Sequence, residues 1–541
     1  MSRTPIHSLL RRAFRQAHHS NLGGSSAPSM AVSASSAGRW KRRRFLKLSA
    51  LAGGAAIATQ LPHLDEVWGN TPPKIAIIGG GLAGLTAAYW LKQAGVMATV
   101  YEARNRLGGR VHSVINQVST GQVDELGGSF INTDHTDLLA LVEALGLDLF
   151  SREIYAETVN APATVYFIDG RRISEVEVAE NLRPLAAQVA ADLALLEEDF
   201  DRYAPVLDAL SVQDYLDRHA DKIPAPFIRT LIELTVRTEY GVEAEQSSVI
   251  QLLYSLPAVE GDEADLLSSS DEAFLIRGGN QQLIDRLANT LPNQIQTRMV
   301  LTQLVGDDRG FQLRFANDTA VEVDYVILAI PFTALRFVDL QVRLPETLQR
   351  FIQESELGLN EKIFVGFRER FWESPQGFSG VAWTDLGFAE VWDSTQQQAT
   401  EYSEGVLTFY HGGHEVTLMQ LRSPYQQNRQ LLDQAELLLP GAKAAATGRF
   451  LHSHWHSNPY SRGAYSTFKP GQYTEFGAFF YIDGETDADR QEVAVGNLIF
   501  AGEHLSDAFY GYMNGAVETG RMAASVILRQ IQQETQQEAI A

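Results

Sequence analysis

Lys74-Ile75-Ala76-Ile77-Ile78-Gly79-Gly80-Gly81-Leu82-Ala83-Gly84 reads as a short strand running directly into a glycine turn. Its first half is a β-branched apolar run, the pattern of a strand buried on both faces of a parallel sheet. Its second half carries G-x-G-x-x-G spacing on Gly79, Gly81 and Gly84. Apolar and small residues then predict a helix from about Leu82 to Ala94, closed by Gly95, and a second strand from Ala98 to Tyr101 that ends at Glu102. Each piece has a physical task. Gly79 permits the tight turn, Gly81 lets backbone approach a pyrophosphate, and Gly84 lets helix and strand pack closely. The helix N-terminus at Leu82 and Ala83 favours negative charge. Glu102 can accept hydrogen bonds from a ribose 2′-hydroxyl and would repel a 2′-phosphate. Glycine spacing alone is weak, but strand, turn, helix and acid in this order predict a dinucleotide-binding α/β domain.

Outward from this unit, Glu102-Ala103-Arg104-Asn105-Arg106-Leu107-Gly108-Gly109-Arg110 adds a second glycine turn flanked by arginines, which can neutralise a diphosphate. Glu125-Leu126-Gly127-Gly128-Ser129 is a third glycine turn. With these residues the chain resembles the flavin-containing amine oxidase family, which includes monoamine, polyamine and L-amino-acid oxidases. The resemblance implies a Rossmann-like FAD-binding domain of a GR2-type flavoprotein, with a mixed-sheet substrate domain and a helical lobe. It implies that Ala103, Arg104, Gly109 and Arg110 face the cofactor and that Leu126, Gly127, Gly128 and Ser129 turn beneath the flavin.

The C-terminal end carries a separate match. Leu498-Ile499-Phe500-Ala501-Gly502-Glu503 reads as a last strand followed by an acidic turn, and Gly511-Tyr512-Met513-Asn514-Gly515-Ala516-Val517-Glu518 opens the final helix. By resemblance, Gly502 and Glu503 meet the ribityl–pyrophosphate region, and Met513 starts a helix aimed at the flavin's pyrimidine edge. Trp455-His456-Ser457-Asn458-Pro459-Tyr460-Ser461-Arg462-Gly463-Ala464-Tyr465 is similar to the family's substrate-side strand and turn. Tyr465 and Tyr512 then flank the substrate nitrogen, and Trp455 stands near the flavin ring. Ala464 occupies the place of the flavin-linking cysteine of monoamine oxidases, and the chain has no cysteine; the FAD is therefore expected to be non-covalent. Glu361-Lys362-Ile363-Phe364 resembles the family strand whose lysine holds a water near flavin N5, which gives Lys362 that role. Val300 is expected to place backbone against the adenine.

His452, His454 and His456 alternate, which predicts one shared face of a strand. A metal site is conceivable there, but ordinary strand histidines are the expectation. The FAD domain is expected from 74–130, 270–335 and 490–530, with a helical lobe and part of the substrate domain in 131–269 and the substrate-binding domain in 340–489.

The composition is that of a globular protein, with 45% hydrophobic and 20% charged residues. The formal net charge is −22. Ten of the 44 basic residues, and no acidic one, fall within residues 1–58, so the rest of the chain is more acidic still. Such a body repels nucleic acid. Arg42-Arg43-Arg44-Phe45-Leu46-Lys47 followed by a short apolar run resembles a twin-arginine signal. Residues 1–70 are expected to serve export to a periplasmic, extracellular or thylakoid-lumen location, with membrane association if the signal stays uncleaved.

The resemblance implies oxidation of an amine to an imine, with dioxygen or a quinone as the final acceptor. The acidic body suits a small cationic substrate. A basic L-amino acid, arginine or lysine, is the first expectation, with Arg462 pairing its carboxylate. A polyamine or monoamine is the alternative, and a quinone-linked dehydrogenase is another. The resemblance leaves the oligomeric state open.

Overall fold

Ile75–Ile78 forms an inner strand of a six-stranded sheet. It pairs in parallel with Ala98–Glu102 on one side and with Tyr325–Leu328 on the other. The computed structural model describes residues 72–540, except 308, 398–401 and 485–489. The export signal read from residues 1–70 lies outside the described residues. Across the first sheet the order is Ile295–Thr297, Ala98–Glu102, Ile75–Ile78, Tyr325–Leu328, Leu498–Phe500 and Ala494–Val495. The first five run parallel, and the short last strand is antiparallel. Ile77, Val100, Ile327 and Ile499 are fully buried, each contributing roughly 1.5–3 kcal/mol relative to exposure. The helix Leu82–Gln93 covers one face and packs against the long C-terminal helix Met513–Ile540. The seating of Leu82–Gln93 on its own strand and turn depends on Gly84, where a Cβ would lie 2.0 Å from the Gly79 carbonyl oxygen.

A four-stranded sheet (Ala320–Val323, Gly310–Phe315, Leu301–Asp307, Asp339–Gln341) extends from this domain. The substrate side is a mixed seven-stranded sheet in the order Ala446–His452, Asn360–Phe367, Gly405–Gly412, Glu390–Asp393, Val381–Thr384, Thr164–Ile168 and Arg171–Ile173. All its pairings are antiparallel except Val381–Thr384 with Thr164–Ile168. Asn360–Phe367 is buried along its whole length, as a strand covered on both faces must be. The lobe over this sheet contains the helices Glu175–Glu198, Phe200–Asp208, Val212–Arg218, Pro226–Tyr240 and Val249–Ser255. Several of these helices are capped by serine or aspartate side chains, at Ser174, Asp199, Ser211 and Ser248. No helix among the described residues is long and apolar enough to cross a membrane.

One expectation fails locally. His452 ends its strand, and His454 takes a left-handed backbone with φ 56°. His452, His454 and His456 therefore do not share a strand face. The chain turns at His454 so that Trp455 can point back into the protein, and alternation stops being informative once φ becomes positive.

Candidate active site

A cavity of about 490 Å³ runs between the first sheet, the substrate sheet and the lobe. One end is built by the glycine turn. Gly79, Gly81, Leu82, Ala83, Glu102, Ala103, Arg104, Gly109, Arg110 and Val300 all line it, whereas Gly84 is used for packing. Gly81 is the N-cap of its helix, no side chain caps it, and no acid lies in the first turn. Its N-terminal N–H groups and positive dipole end are thus left for an anion. A Cβ at Gly81 would approach only Gly109, at 3.9 Å, so the space above the turn is open. Glu102 is pinned by accepting from Gly80 N at 2.7 Å and Arg104 N at 2.8 Å. Arg104 donates to the Gly109 carbonyl and to Asn458 Oδ1, while its buried Nε has no partner. An open helix terminus, an anchored acid and a partly unsatisfied guanidinium fit the pyrophosphate and ribose of FAD.

Arg110 bridges to the other end. It donates to the Ala464 carbonyl at 2.9 Å and pairs with Glu503 at 2.5 Å. Glu503 also accepts from Ser466 Oγ and Gly511 N, each at 2.6 Å. Burial pushes its carboxyl up, but Arg110, His504 and Ser466 outweigh burial and hold it below the usual range. Gly502 and Met513 line the cavity beside it.

The third glycine turn is held from two sides. Trp455 Nε1 donates to the Leu126 carbonyl at 2.6 Å. Lys362 Nζ donates to the Gly127 carbonyl and Ser129 Oγ, each at 2.6 Å, and to the Glu125 carbonyl at 3.2 Å. These three acceptors occupy all three hydrogens of an ammonium. Burial lowers the Lys362 pKa to about 8, against the opposing pull of Glu125 and Glu272. Lys362 lines the cavity and in this arrangement clamps the turn. Leu126, Gly127, Gly128 and Ser129 line the same space.

Tyr465 and Tyr512 both line the cavity with Lys362 and Trp455. A Cβ at Gly511 would lie 3.9 Å from the Tyr465 ring, which places the two cage positions side by side. Tyr465 shares a 2.5 Å hydrogen bond with Tyr410 and donates to the Thr238 carbonyl. Tyr512 donates to Glu239 at 3.3 Å. Burial first, then Tyr410 for Tyr465 and Glu239 for both, raises the two phenols well above their ordinary range, so both stay neutral.

Sequence reading missed what surrounds this cage. Glu239, Glu272 and Glu390 all line the cavity, together with Phe130, Trp392 and Tyr410. Burial, then Glu272, raises Glu239 to about 8. Burial, then Glu272 and Glu239, raises Glu390 well above the carboxylate range. Arg152 pairs with Glu272 at 2.8 Å and stacks on Phe130 at 3.9 Å. A glutamate within the apolar Ala389-Glu390-Val391-Trp392 run was the available signal, since acids are rarely placed in apolar strands without a task.

Arg462 also lines the cavity, but not as a carboxylate anchor at the cage. Its guanidinium stacks at 3.8 Å on Phe337, which follows the short helix Phe332–Leu335 of the first domain. The adjacent Ser461 carbonyl accepts from Thr333, which fixes the turn on that side.

Comparison with known proteins agrees with this geometry. The family model described as flavin containing amine oxidoreductase matches residues 82–528. Amine oxidase [flavin-containing] A of Sus scrofa is 24% identical over 472 residues, covering 84% of each chain. Polyamine oxidase 2 of Arabidopsis thaliana is 25% identical over 461 residues, covering 84% of this chain and 87% of its own. A putrescine oxidase solved with putrescine bound has a TM-score of 0.68 at 24% identity, over 85% of this chain and 99% of its own. Cyclohexylamine oxidase from Brevibacterium oxydans IH-35A has a TM-score of 0.70 at 22% identity, over 85% and 100%. With a family match running from the helix after the first glycine turn, through the cage, into the final helix, this chain belongs to the flavin-containing amine oxidoreductase family.

Proposed function

We propose that this enzyme oxidises a diamine or polyamine, using non-covalently held FAD and passing electrons to dioxygen. The observation that carries the substrate class is the set of three glutamates, Glu239, Glu272 and Glu390, lining the cage cavity. The lining arginines are engaged elsewhere: Arg104 and Arg110 at the glycine turns, Arg462 on Phe337. A basic L-amino acid would bring its carboxylate into an acidic wall. A diamine brings a second ammonium, which that wall stabilises. The preference for arginine or lysine as substrate therefore gives way to the polyamine alternative. A polyamine oxidase among the relatives and a putrescine-bound structure among the fold neighbours support this reading.

Bound FAD supplies the two-electron acceptor that converts the amine's C–N bond to an imine, which water hydrolyses to a carbonyl compound and ammonia or a smaller amine. The residues orient and desolvate. Tyr465 and Tyr512 hold the neutral nitrogen between their rings. Glu239 and Glu390 hold the distal ammonium. Glu503 and Arg110 fix the junction between cage and cofactor. Ala464 offers no thiol, so trichloroacetic acid should release all FAD into the supernatant; yellow colour in the pellet would contradict the non-covalent assignment.

The test is anaerobic bleaching of the flavin by putrescine, spermidine, butylamine, arginine and lysine, followed by peroxide detection in air. Putrescine or spermidine should bleach fastest. Bleaching by arginine or lysine alone would overturn the substrate assignment, and bleaching without peroxide would replace dioxygen by a quinone. Glu239 is protonated below about 8, so kcat/KM for the diamine should climb as pH rises through that value. The substrate's own deprotonation contributes to the same limb, and butylamine measures that contribution alone.

A further inference from the structure

We propose that Glu361 is a positioning residue that fixes Lys362 and Trp455 on the cavity through a single shared carboxylate. The inference goes beyond the substrate assignment and rests only on the cavity's geometry. Neighbouring residues of a strand point to opposite faces. On Asn360–Phe367, Lys362 faces the glycine turn, and Glu361 faces the segment 453–456 that carries Trp455. The side chain of Glu361 is buried, and four donors converge on it. Ser453 Oγ donates at 2.6 Å and His454 N at 2.5 Å, both to Oε2. His456 contacts Oε1 through Nδ1 at 2.5 Å and donates to it from its backbone N at 3.4 Å.

The same segment is stitched to Lys362. Lys362 N donates to Ser453 Oγ at 2.9 Å, and Ser453 N donates back to the Lys362 carbonyl at 3.1 Å. Trp455 lies within the four residues that Glu361 gathers. Its indole then grips Leu126 while Lys362 grips Gly127. The left-handed backbone at His454 is the kind that surrounding structure must enforce, and the bond from its N–H to Glu361 is positioned to do so. His411, opposite Glu361 on the next strand, donates from Nδ1 to the Gly387 carbonyl, and the His452 ring stacks on His454 at 5.3 Å. Burial leads in pushing both His411 and His452 down to about 4, so neither brings positive charge at neutral pH, and His456 is the histidine in hydrogen-bond contact with the carboxylate.

The test uses the FAD-loaded protein and needs no amine. Two quantities are read: the visible circular dichroism of the bound flavin, and the rate at which dithionite-reduced enzyme is reoxidised by dioxygen. Glu361→Gln should keep its FAD, change the flavin dichroism and slow reoxidation about tenfold. Glu361→Asp, which retains the charge, should recover part of both. Combined with Lys362→Met, Glu361→Gln should cost less than it does alone, because the part of its effect that runs through Lys362 is already gone. Unchanged dichroism and rate in Glu361→Gln, or a full further loss in the double variant, overturns the proposal. If Glu361→Gln does not load FAD, His456→Ala removes one side-chain donor only and is read in the same way: altered dichroism with slowed reoxidation supports the role, and wild-type behaviour overturns it.

Discussion

Replacing Glu239 and Glu390 together by glutamine is expected to raise KM for putrescine about 10²-fold while leaving butylamine oxidation within about threefold of wild type. The two amines share the reacting end and differ in the distal ammonium. A charged hydrogen bond is worth roughly 1.5–3 kcal/mol, and each 1.4 kcal/mol is about tenfold in affinity. The distal group is held equally in ground and transition states, so the loss falls on KM more than on kcat. Glutamine keeps the size and the acceptor oxygen, so Tyr512 retains its contact at position 239. Removing two acids also removes the burial penalty, and the repulsion by Glu272, that raise Glu239 and Glu390, and the variant should fold at least as well as wild type. Equal losses on both amines in steady-state kinetics would mean that these acids shape the cage and do not select the substrate.

Lys362→Met is expected to slow flavin turnover by about 10²-fold with FAD still bound. The FAD end of the cavity lies on other elements, so loading should survive. Three acceptors lose their donor at once: the Gly127 and Glu125 carbonyls and Ser129 Oγ. The turn beneath the flavin then loses both its clamp and the positive charge next to it. Stopped-flow measurement separates the two half-reactions. A loss confined to reoxidation would assign the ammonium to dioxygen, and a loss confined to reduction would assign it to the amine. Wild-type rates in both would remove Lys362 from the chemistry. Because its pKa is lowered to about 8, wild-type Lys362 carries its charge below that pH and sheds it above. Any rate limb that vanishes in Lys362→Met should be centred there.

Much of this site was legible because backbone needs are written locally. Gly79, Gly81 and Gly84 answer to one turn and one helix, and their spacing states the geometry without reference to distant residues. Gly127 to Ser129 and the acidic turn at Glu503 were placed instead by the family resemblance of their motifs. The acidic wall was not legible, since Glu239, Glu272 and Glu390 come from a lobe helix, a loop and a sheet strand that only tertiary packing unites. Tyr410 was hidden for the same reason; its hydrogen-bond partner Tyr465 is on a different segment, 55 positions away in the chain. Arg462 was in the right cavity, but Phe337, 125 positions away in the chain, decides where its guanidinium rests. The histidine alternation misled because its rule assumes an extended backbone throughout, and His454 departs from it.

Leu498–Phe500 stands inside the first sheet, bonded to Tyr325–Leu328 on one side and to Ala494–Val495 on the other. During synthesis, Tyr325–Leu328 therefore emerges with an apolar edge that stays unpaired while well over a hundred further residues are made. The helix Met513–Ile540 comes later still, and Gly520 seats it so closely that a Cβ there would lie 2.3 Å from the Ala83 carbonyl oxygen. The nucleotide cradle near the amino end thus waits for the carboxyl end to complete it. A ribosome stalled before Met513 would hold a sticky half-sheet, a client for chaperones.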